Sequence, residues 1–311
     1  MIISYAELKK KPRILKGFAG VTAQEFEELE AKAEPLWRDQ EFKRLDRPDR
    51  KRAIGGGQHK SLPFREQLLM TPVWLRLYLV LEALGYLFGV DKSIASRYTA
   101  SVLPVLRQVG EATLGWPEPP KRGQGKKLEQ VWQEQPDLFA YVDATEQRIR
   151  RSSNDEQQKQ DYSGKKKQHT RKTQLIVNEE GVVRDLSQSS PGSKHDRKHF
   201  SDSGAAAKIP KETPVGGDLG YQGIQDDLPD HSVSLPFKKS KLQPLTEEQK
   251  LLNQDFARGR IIVENTICQF KHFRVLADRF RHDVDKYDNA FRSVLAIVNP
   301  RLQKRVAAAA A

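Results

Sequence analysis

The stretch "VGGDLGYQGI", residues 215–224, places one acid, Asp218, directly after a short apolar run, with glycine at 217 and 220. An apolar run that ends in an acid and an immediate turn is typical of a strand end. Asp and Gly are also ordinary turn residues, so the stretch alone leaves a purely structural role open. The rest of the chain has to show whether this carboxylate has a chemical role.

Two further acids occupy comparable positions. Asp143 follows the β-favouring run "LFAYV", residues 138–142, and we expect that strand to end at Asp143. Glu264 lies in the helical stretch "RIIVENTICQFK", residues 260–271. Two aspartates on neighbouring strands and a glutamate from a helix would supply the oxygen ligands that Mg²⁺ prefers. Two such ions can activate an attacking oxygen and stabilise a leaving one, which suits chemistry on phosphodiesters.

The helix that carries Glu264 also carries two cations on the same stripe. Arg260, Glu264 and Lys271 are spaced four and seven residues apart. The apolar face beside them is formed by Val263, Ile267 and Phe270. A carboxylate flanked by cations suits a metal and a phosphate, and a solvated charged face is the alternative.

The sequence around these acids predicts a mixed α/β domain. Strands are expected in residues 168–192, as a pair joined by a Glu-Glu-Gly turn, and again in 214–221 and 232–239. A short helix is expected in residues 193–204, and a long helix should begin at Thr246. A last helix, about 286–298, should be ended by Pro300.

Residues 1–109 are predicted to be all-helical. Thr22 with Glu25 forms a capping box. Around residues 78–107, Gly89 should stop one helix and Asp91 should cap the next, which is the pattern of a helix-turn-helix. An ordinary helical hairpin is the alternative. If the motif binds DNA, the second helix presents Lys92, Ser93, Ser96 and Arg97 as contacts.

Composition sets the domain boundaries. Residues 110–135 are rich in Gly, Pro and Lys and predict a linker. The predicted domains are therefore 1–109 and 136–306, and 307–311 form an alanine tail to which we assign no function. The sequence contains no run of 18 apolar residues, so no membrane span is predicted. The start of the chain does not resemble a signal peptide.

Charge and cysteine content restrict the function classes. The 311 residues include 53 basic and 41 acidic side chains, a formal charge of +12, which favours a polyanionic partner. The single cysteine, Cys268, excludes internal disulfides, suits a reducing cytoplasm and is expected to be a core thiol. His195 and His199 could face the same side of a helix, which would suggest a zinc site. The sequence shows no third ligand for such a site, so zinc is disfavoured.

Five motifs in order carry a family resemblance: "VDATE", "YSGKKKQHTRK", "GSKHD", "GDLGYQG" and "RIIVENTICQFKHFRVL". Together they resemble DDE transposases of bacterial insertion sequences, most closely the insertion-sequence-five family. The resemblance implies an RNase H-like catalytic core, a mixed sheet flanked by helices, preceded by an all-α helix-turn-helix domain. It also implies two divalent metal ions, Mg²⁺ with Mn²⁺ as a substitute.

The same resemblance assigns residues. Asp143, Asp218 and Glu264 become the catalytic, metal-binding triad. Tyr221, Arg260 and Lys271 match residues that accompany these acids, and we expect them near the DNA, with Tyr221 packed against a nucleotide. A basic arm beside Asp143 is expected to hold the phosphate backbone, unless it is a solvated loop; its residues are Arg150, Arg151, Lys165, Lys166, Lys167, Arg171 and Lys172.

The sequence is therefore interpreted as a transposase of the bacterial cytoplasm, associated with the nucleoid when active. It would bind terminal inverted repeats, cleave DNA at the ends of an insertion sequence and join those ends to target DNA, as a homodimer or higher oligomer on double-stranded DNA. Two alternatives remain: a related endonuclease without strand transfer, and a non-catalytic DNA-binding protein derived from a transposase.

Overall fold

The computed structural model describes residues 2–48, 60–116, 139–238 and 244–309. The chain forms two compact units, and neither is one continuous segment. The first contains Met1–Thr113, Phe270–Ala277 and Lys286–Arg301; the second contains Leu114–Gln269, Asp278–Asp285 and Leu302–Ala311. The boundaries expected from sequence did not include the two later segments in the helical unit. Most of the predicted linker, residues 117–135, lies outside the described residues.

The first unit is helical, as predicted. Its N-terminal elements are α1 (Tyr5–Lys9), α2 (Pro12–Ala19), α3 (Ala23–Leu45), α4 (Phe64–Leu77), α5 (Leu81–Phe88) and α6 (Lys92–Glu111). The predicted capping box is confirmed at the start of α3: the Thr22 hydroxyl accepts from the Glu25 amide at 3.2 Å, and the Glu25 carboxylate accepts from the Thr22 amide at 2.7 Å.

The apolar stretch before the helix-turn-helix forms two helices, α4 and α5. Tyr78 has a positive φ of 52°, and this left-handed residue ends α4 three residues before α5 begins. The following turn is as predicted, since Gly89 at φ 68° ends α5 and Asp91 accepts hydrogen bonds from the Ser93 and Ile94 amides. A Cβ at Gly85 would lie 2.5 Å from the Val90 carbonyl oxygen, so glycine permits the tight turn.

The second unit is a mixed sheet with helices. Its elements, with the helices that close the chain, are β1 (Ala140–Arg148), α7 (Asp155–Asp161), β2 (Tyr162–Ser163), β3 (Gln168–Val177), β4 (Val183–Leu186), β5 (Ser190–Pro191), α8 (Asp196–Ser203), β6 (Val215–Gly217), β7 (Val233–Ser234), α9 (Glu247–Lys271), α10 (Arg274–Ala277) and α11 (Tyr287–Ala309). The strands and helices predicted from sequence are all present.

The sheet has the strand order β2-β3-β1-β6-β7, and β4 and β5 pair with β3 outside this path. β1 runs antiparallel to β3, with Tyr141 opposite Val177 and Arg148 opposite Thr170. β1 and β6 are parallel, as are β6 and β7. This curled mixed sheet with helices is consistent with the expected RNase H-like α/β core.

A buried apolar cluster supports the sheet. It is formed by Ala140, Val142, Ile176, Phe200, Ala205, Ile209, Val215, Tyr221, Ile224 and Leu228. β1 contributes the alternate residues Ala140 and Val142, because successive strand residues point to opposite faces of a sheet, and β6 contributes Val215. In the part of the chain that the structure describes, no helix is long and apolar enough to cross a membrane.

Two local expectations were wrong. α11 does not end at Pro300 but continues to Ala309, because residues beyond the proline are held by tertiary contacts; Arg301, for example, donates to the Glu25 carboxylate at 2.7 and 3.0 Å. Cys268 is exposed and not a core thiol. It follows Ile267, and one residue turns about 100° around the helix, away from the buried face.

Candidate active site

Asp143 and Asp218 occupy matching positions on two adjacent strands. The parallel pairing of β1 with β6 aligns Val142 with Gly217, and each aspartate is the next residue. Asp218 thus ends its strand as predicted, whereas Asp143 does not. β1 continues to Arg148 because its pairing with β3 extends past the end of β6. The two carboxylates are brought together where the parallel pairing ends.

The surroundings of Asp143 disfavour its charged form. The pKa of this carboxyl is raised to about 6, chiefly by burial and in smaller part by the carboxylates of Asp218 and Asp196. A hydrogen bond from the Ala144 amide, at 2.8 Å, and the Arg260 guanidinium act in the opposite direction. Asp143, Asp196 and Asp218, which we call the acidic cluster, therefore lie close enough to repel one another.

Gly220 is the point at which Asp196 and Asp218 meet. A Cβ at Gly220 would lie 2.7 Å from Asp196 Oδ2 and 2.8 Å from Asp218 Oδ1, so a side chain there would displace both carboxylates from these positions. The Gly220 amide also donates to Asp218 Oδ1 at 2.6 Å. The glycine in "GDLGY" therefore keeps the space around these carboxylates clear.

Tyr221 is placed differently from the expectation. Its side chain is 0% exposed and packs edge-on against Phe200 at 6.5 Å between ring centroids. A ring buried in the core cannot stack on a nucleotide, so that expectation is corrected. Its hydroxyl has no hydrogen-bond partner among the described residues. Burial and the carboxylates of Asp143, Asp196 and Asp218 raise the pKa of this hydroxyl well above its ordinary value, so it lies near the acidic cluster.

Glu264 is not gathered with the two aspartates in the structure. It is exposed on α9 and pairs with Arg260 on the same helix at 3.0 Å. Arg260 in turn acts on Asp143, where its positive charge lowers the carboxyl pKa. Val263, Ile267 and Phe270 form the buried face of α9 as predicted, and Lys271 is exposed at its last residue.

The basic arm divides into exposed and buried members. Lys165, Lys166 and Lys167 are exposed in the turn between β2 and β3, and Arg150 and Arg151 are exposed after β1. Among the described residues, none of the three lysine ammonium groups pairs with a carboxylate.

Arg171 and Lys172 lie on β3 and not in the exposed turn. Arg171 is half-buried and lies 3.6 Å from Asp161, and its guanidinium donates to the Ser189 carbonyl at 3.2 Å. Lys172 is 5% exposed, and its ammonium lies 2.6 Å from Asp196 Oδ1 and 3.8 Å from Glu146. The expectation that Lys172 belongs to an exposed arm is corrected, because the strand turns its side chain towards buried carboxylates.

The predicted contact residues of the helix-turn-helix lie on the first turns of α6. Lys92, Ser93 and Arg97 are exposed and Ser96 is half-buried. Lys92 pairs with Glu82 at 2.6 Å, and the Arg97 guanidinium donates to the Ser93 carbonyl at 3.2 Å. These side chains are accessible at the N-terminal end of the second helix.

The two histidines of "HDRKH" do not share a site. His195 is exposed at the N-terminal cap of α8, while His199 is buried, with Nε2 2.7 Å from the Ser187 hydroxyl. A zinc site at this pair therefore has no support. Within the described ranges, no three His, Cys, Asp or Glu side chains gather closely enough to hold a metal ion by themselves.

A divalent cation nevertheless fits the acidic cluster. Mg²⁺ is commonly held by one or two carboxylates, with water and substrate phosphate completing its coordination. Asp143 and Asp218 provide two adjacent carboxylates whose mutual repulsion a cation would relieve. Asp196 was not identified from sequence as a site residue, although it ends the quoted motif "GSKHD".

Comparison with known proteins identifies the class. Residues 142–299, which contain both aspartates and Glu264, match the family model of the DDE superfamily endonucleases. Residues 60–112 match the model for the helix-turn-helix of the same superfamily. The chain belongs to the DDE superfamily endonucleases, a family that uses divalent metal ions, and it carries the family's helix-turn-helix domain.

A curated relative of this chain is named as a transposase of an insertion sequence. The chain is 28% identical over 255 residues, which cover 82% of this chain and 86% of the relative, to the "Probable transposase for insertion sequence element IS702" of Microchaete diplosiphon. No solved structure matches the chain significantly.

Proposed function

We propose that this protein is an active transposase that binds the terminal inverted repeats of its insertion sequence, cleaves DNA there and joins the freed ends to target DNA. The carrying observation is the juxtaposition of Asp143 and Asp218, one residue beyond the aligned pair Val142 and Gly217. Membership of the DDE superfamily supports the reaction class, and the similarity to an insertion-sequence transposase supports the DNA substrate.

Asp143 and Asp218 would hold two divalent ions, Mg²⁺ or Mn²⁺, with Glu264 as the third acid. When bound, such ions activate the attacking oxygen and stabilise the leaving oxygen of a phosphodiester. Hydrolysis at the element's end frees a 3′-hydroxyl, and this hydroxyl then attacks a phosphodiester of the target. Because the energy of one phosphodiester is conserved in the next, joining requires no nucleotide triphosphate.

Glu264 would have to leave Arg260 in order to act as a ligand. Exposed pairs at i, i+4 contribute only about 0.3–0.5 kcal/mol, and the two side chains are 42% and 51% exposed. Substrate phosphate would compete for Arg260, since guanidinium binds phosphate in a forked geometry. The pair is therefore weak enough to exchange when DNA arrives.

The other predicted DNA-binding residues would contact the inverted repeat or the phosphate backbone. The exposed residues at the start of α6, namely Lys92, Ser93, Ser96 and Arg97, would read the inverted repeat. The exposed lysines between β2 and β3, together with Arg150 and Arg151, would hold the phosphate backbone near the acidic cluster. Lys271 and Arg260 would contact the backbone along α9, and DNA cleavage at two ends would require at least a homodimer.

The test is a set of three conservative variants, Asp143→Asn, Asp218→Asn and Glu264→Gln. Each should fold, bind end DNA about as well as the parent and fail to nick it in Mg²⁺, because each loses a charge that the metal ions require. Parental nicking by Glu264→Gln alone would remove Glu264 from the site, and parental nicking by the aspartate variants would refute the proposed active site.

A precut end supplied with target DNA separates a transposase from an endonuclease. A transposase joins the precut 3′-hydroxyl to the target, and the joined product appears as a longer strand on a denaturing gel. Nicking without any joined product would favour an endonuclease that lacks strand transfer.

A further inference from the structure

The buried pair of Lys172 and Asp196 connects β3 to the acidic cluster. The Lys172 ammonium lies 2.6 Å from Asp196 Oδ1 and donates to the Lys194 carbonyl at 2.6 Å. Both side chains are shielded, at 6% and 17% exposure. Because one oxygen of Asp196 is neutralised by this lysine, the orientation of the carboxylate is determined by a strand in the middle of the sheet.

The second oxygen of Asp196 faces the proposed metal site. Asp196 Oδ2 and Asp218 Oδ1 lie 2.7 and 2.8 Å from the same point, the position that a Cβ on Gly220 would take. The Gly220 amide donates to Asp218 Oδ1 at 2.6 Å, and a cation nearby would further relieve the repulsion between the two carboxylate oxygens. Asp196 is therefore directed towards Asp218, not towards solvent.

An independent feature also indicates a ligand at this place. The Tyr221 side chain is completely buried, yet among the described residues nothing hydrogen-bonds its hydroxyl. Buried hydroxyls are rarely left without a partner, and such a group commonly marks an ion or water that completes the network. The hydroxyl is within electrostatic range of Asp143, Asp196 and Asp218, whose charges raise its pKa.

We propose that Asp196 is a positioning residue of the metal site: Lys172 holds it so that its free oxygen accepts hydrogen bonds from the water shell of a cation bound by Asp143 and Asp218. Mg²⁺ in proteins usually keeps several waters, and outer carboxylates that orient them strongly affect its affinity. Three gathered ligands are not required for this role, since Asp196 acts through water. The inference rests on the proposed function and adds a residue to the same site.

The decisive measurement is the affinity of the full chain for Mn²⁺, followed by electron paramagnetic resonance without DNA. Asp196→Asn should weaken Mn²⁺ binding about 10- to 100-fold, the usual cost of losing an outer partner of a metal site. Asp202→Asn is the matched control, because Asp202 lies on the same helix and pairs with Lys194 at 2.6 Å. This control should bind Mn²⁺ like the parent.

A double variant separates positioning from simple structural support. Asp196→Asn alone leaves Lys172 buried with a weakened partner, and it could misfold. Lys172→Met with Asp196→Asn removes both charges of the pair, and thermal denaturation measures whether this variant folds like the parent. If the pair only supports the fold, this double variant binds Mn²⁺ like the parent, and the inference is overturned. If Asp196 positions the water shell, the double variant remains weakened 10- to 100-fold.

Asp143→Asn and Asp218→Asn distinguish failure of the inference from failure of the proposed function. If both abolish Mn²⁺ binding while the Asp196 variants bind like the parent, the site stands and only the role of Asp196 is rejected. If both keep parental Mn²⁺ binding, the site itself is rejected and the inference falls with it.

Discussion

At the scale of single residues, His199 shows how burial determines the charge of a side chain. The imidazole is 3% exposed and shares a 2.7 Å hydrogen bond with Ser187. Its pKa is lowered to about 4, chiefly by burial and in smaller part by the nearby Lys194 and Lys172, while Asp196 and Asp202 oppose the shift. His199 is therefore neutral in the folded protein at neutral pH, and its role is to close the core between β4 and α8.

The depressed pKa of His199 predicts a loss of stability in acid. Above pH 6.5 the residue is neutral in both states, and as the pH falls towards 4 the unfolded chain takes up the proton first. The free energy of unfolding should therefore decrease between pH 6.5 and 4 by up to about 3 kcal/mol from this residue. His199→Gln, which can still bond Ser187, should remove that part of the dependence in urea unfolding.

His195 provides the control for this prediction. It lies exposed at the start of the same helix, so His195→Gln removes an imidazole without changing the core. The control should keep the parental pH dependence. An unchanged dependence in His199→Gln would show that other groups cause the acid sensitivity.

At the scale of elements, the turn between β2 and β3 presents three exposed lysines, and the pairing of the two strands determines where this turn lies. Tyr162 opposite His169 and Ser163 opposite Gln168 close the hairpin, which leaves residues 164–167 as the turn. Lys167 adopts a positive φ of 52°, as a tight turn requires. The sheet thus holds a concentrated positive charge on the same unit as the acidic cluster.

Replacing Lys165, Lys166 and Lys167 by Ala should weaken binding to duplex DNA with little change in sequence preference. If each lysine contacts one phosphate, the slope of log K against log salt should fall by about 2.7. Fluorescence anisotropy at several salt concentrations measures this slope.

A matched triple variant uses Lys9, Lys10 and Lys211, which are exposed but already paired with carboxylates at 2.6, 2.9 and 3.1 Å. It removes the same charge and should change the slope less. Equal slopes in the parent and the turn variant would mean that the three turn lysines face solvent in the complex.

At the scale of the whole molecule, the helical unit is completed by chain from the far end of the sequence. Arg292 of α11 is 5% exposed and donates to the Glu111 carboxylate at 2.8 Å. Ser293 donates to the Leu103 carbonyl at 3.0 Å, and Asn299 donates to the Thr113 carbonyl at 3.1 Å. A side chain at Gly110 would collide with the Arg292 carbonyl, so α6 and α11 pack with their backbones close together.

A fragment of residues 1–115 should therefore be much less stable than the same helices in the full chain. Removing α11 exposes the apolar face of α6 and leaves Glu111 without Arg292. Circular dichroism should show a low or non-cooperative melting transition, and specific binding to end DNA should be lost with it. Adding the separate peptide 284–303 should restore part of the transition. Cooperative melting of the fragment alone at the parental temperature would contradict this prediction.

Local signals determined much of the fold. The capping box at Thr22, the turn at Gly89 and the strand pair around the Glu-Glu-Gly turn depend on neighbouring residues, so the sequence predicted them correctly. The sequence identified Asp143 and Asp218 as candidate ligands but left open whether their strands are neighbours, and the parallel pairing of β1 with β6 brings them to equivalent positions. Five ordered motifs predicted the family, and the match to the family model confirms it.

Tertiary structure decided the features that depend on distant residues. Whether Lys172 is exposed, whether Tyr221 can reach DNA and whether Asp196 faces Asp218 are determined by how β3, α8 and β6 pack, and no local pattern encodes that packing. Pro300 remains inside α11 because residues on both sides of it are held by distant partners. The sequence determined which side chains could perform the chemistry; packing decided which of them meet, because burial and charge act between residues far apart along the chain.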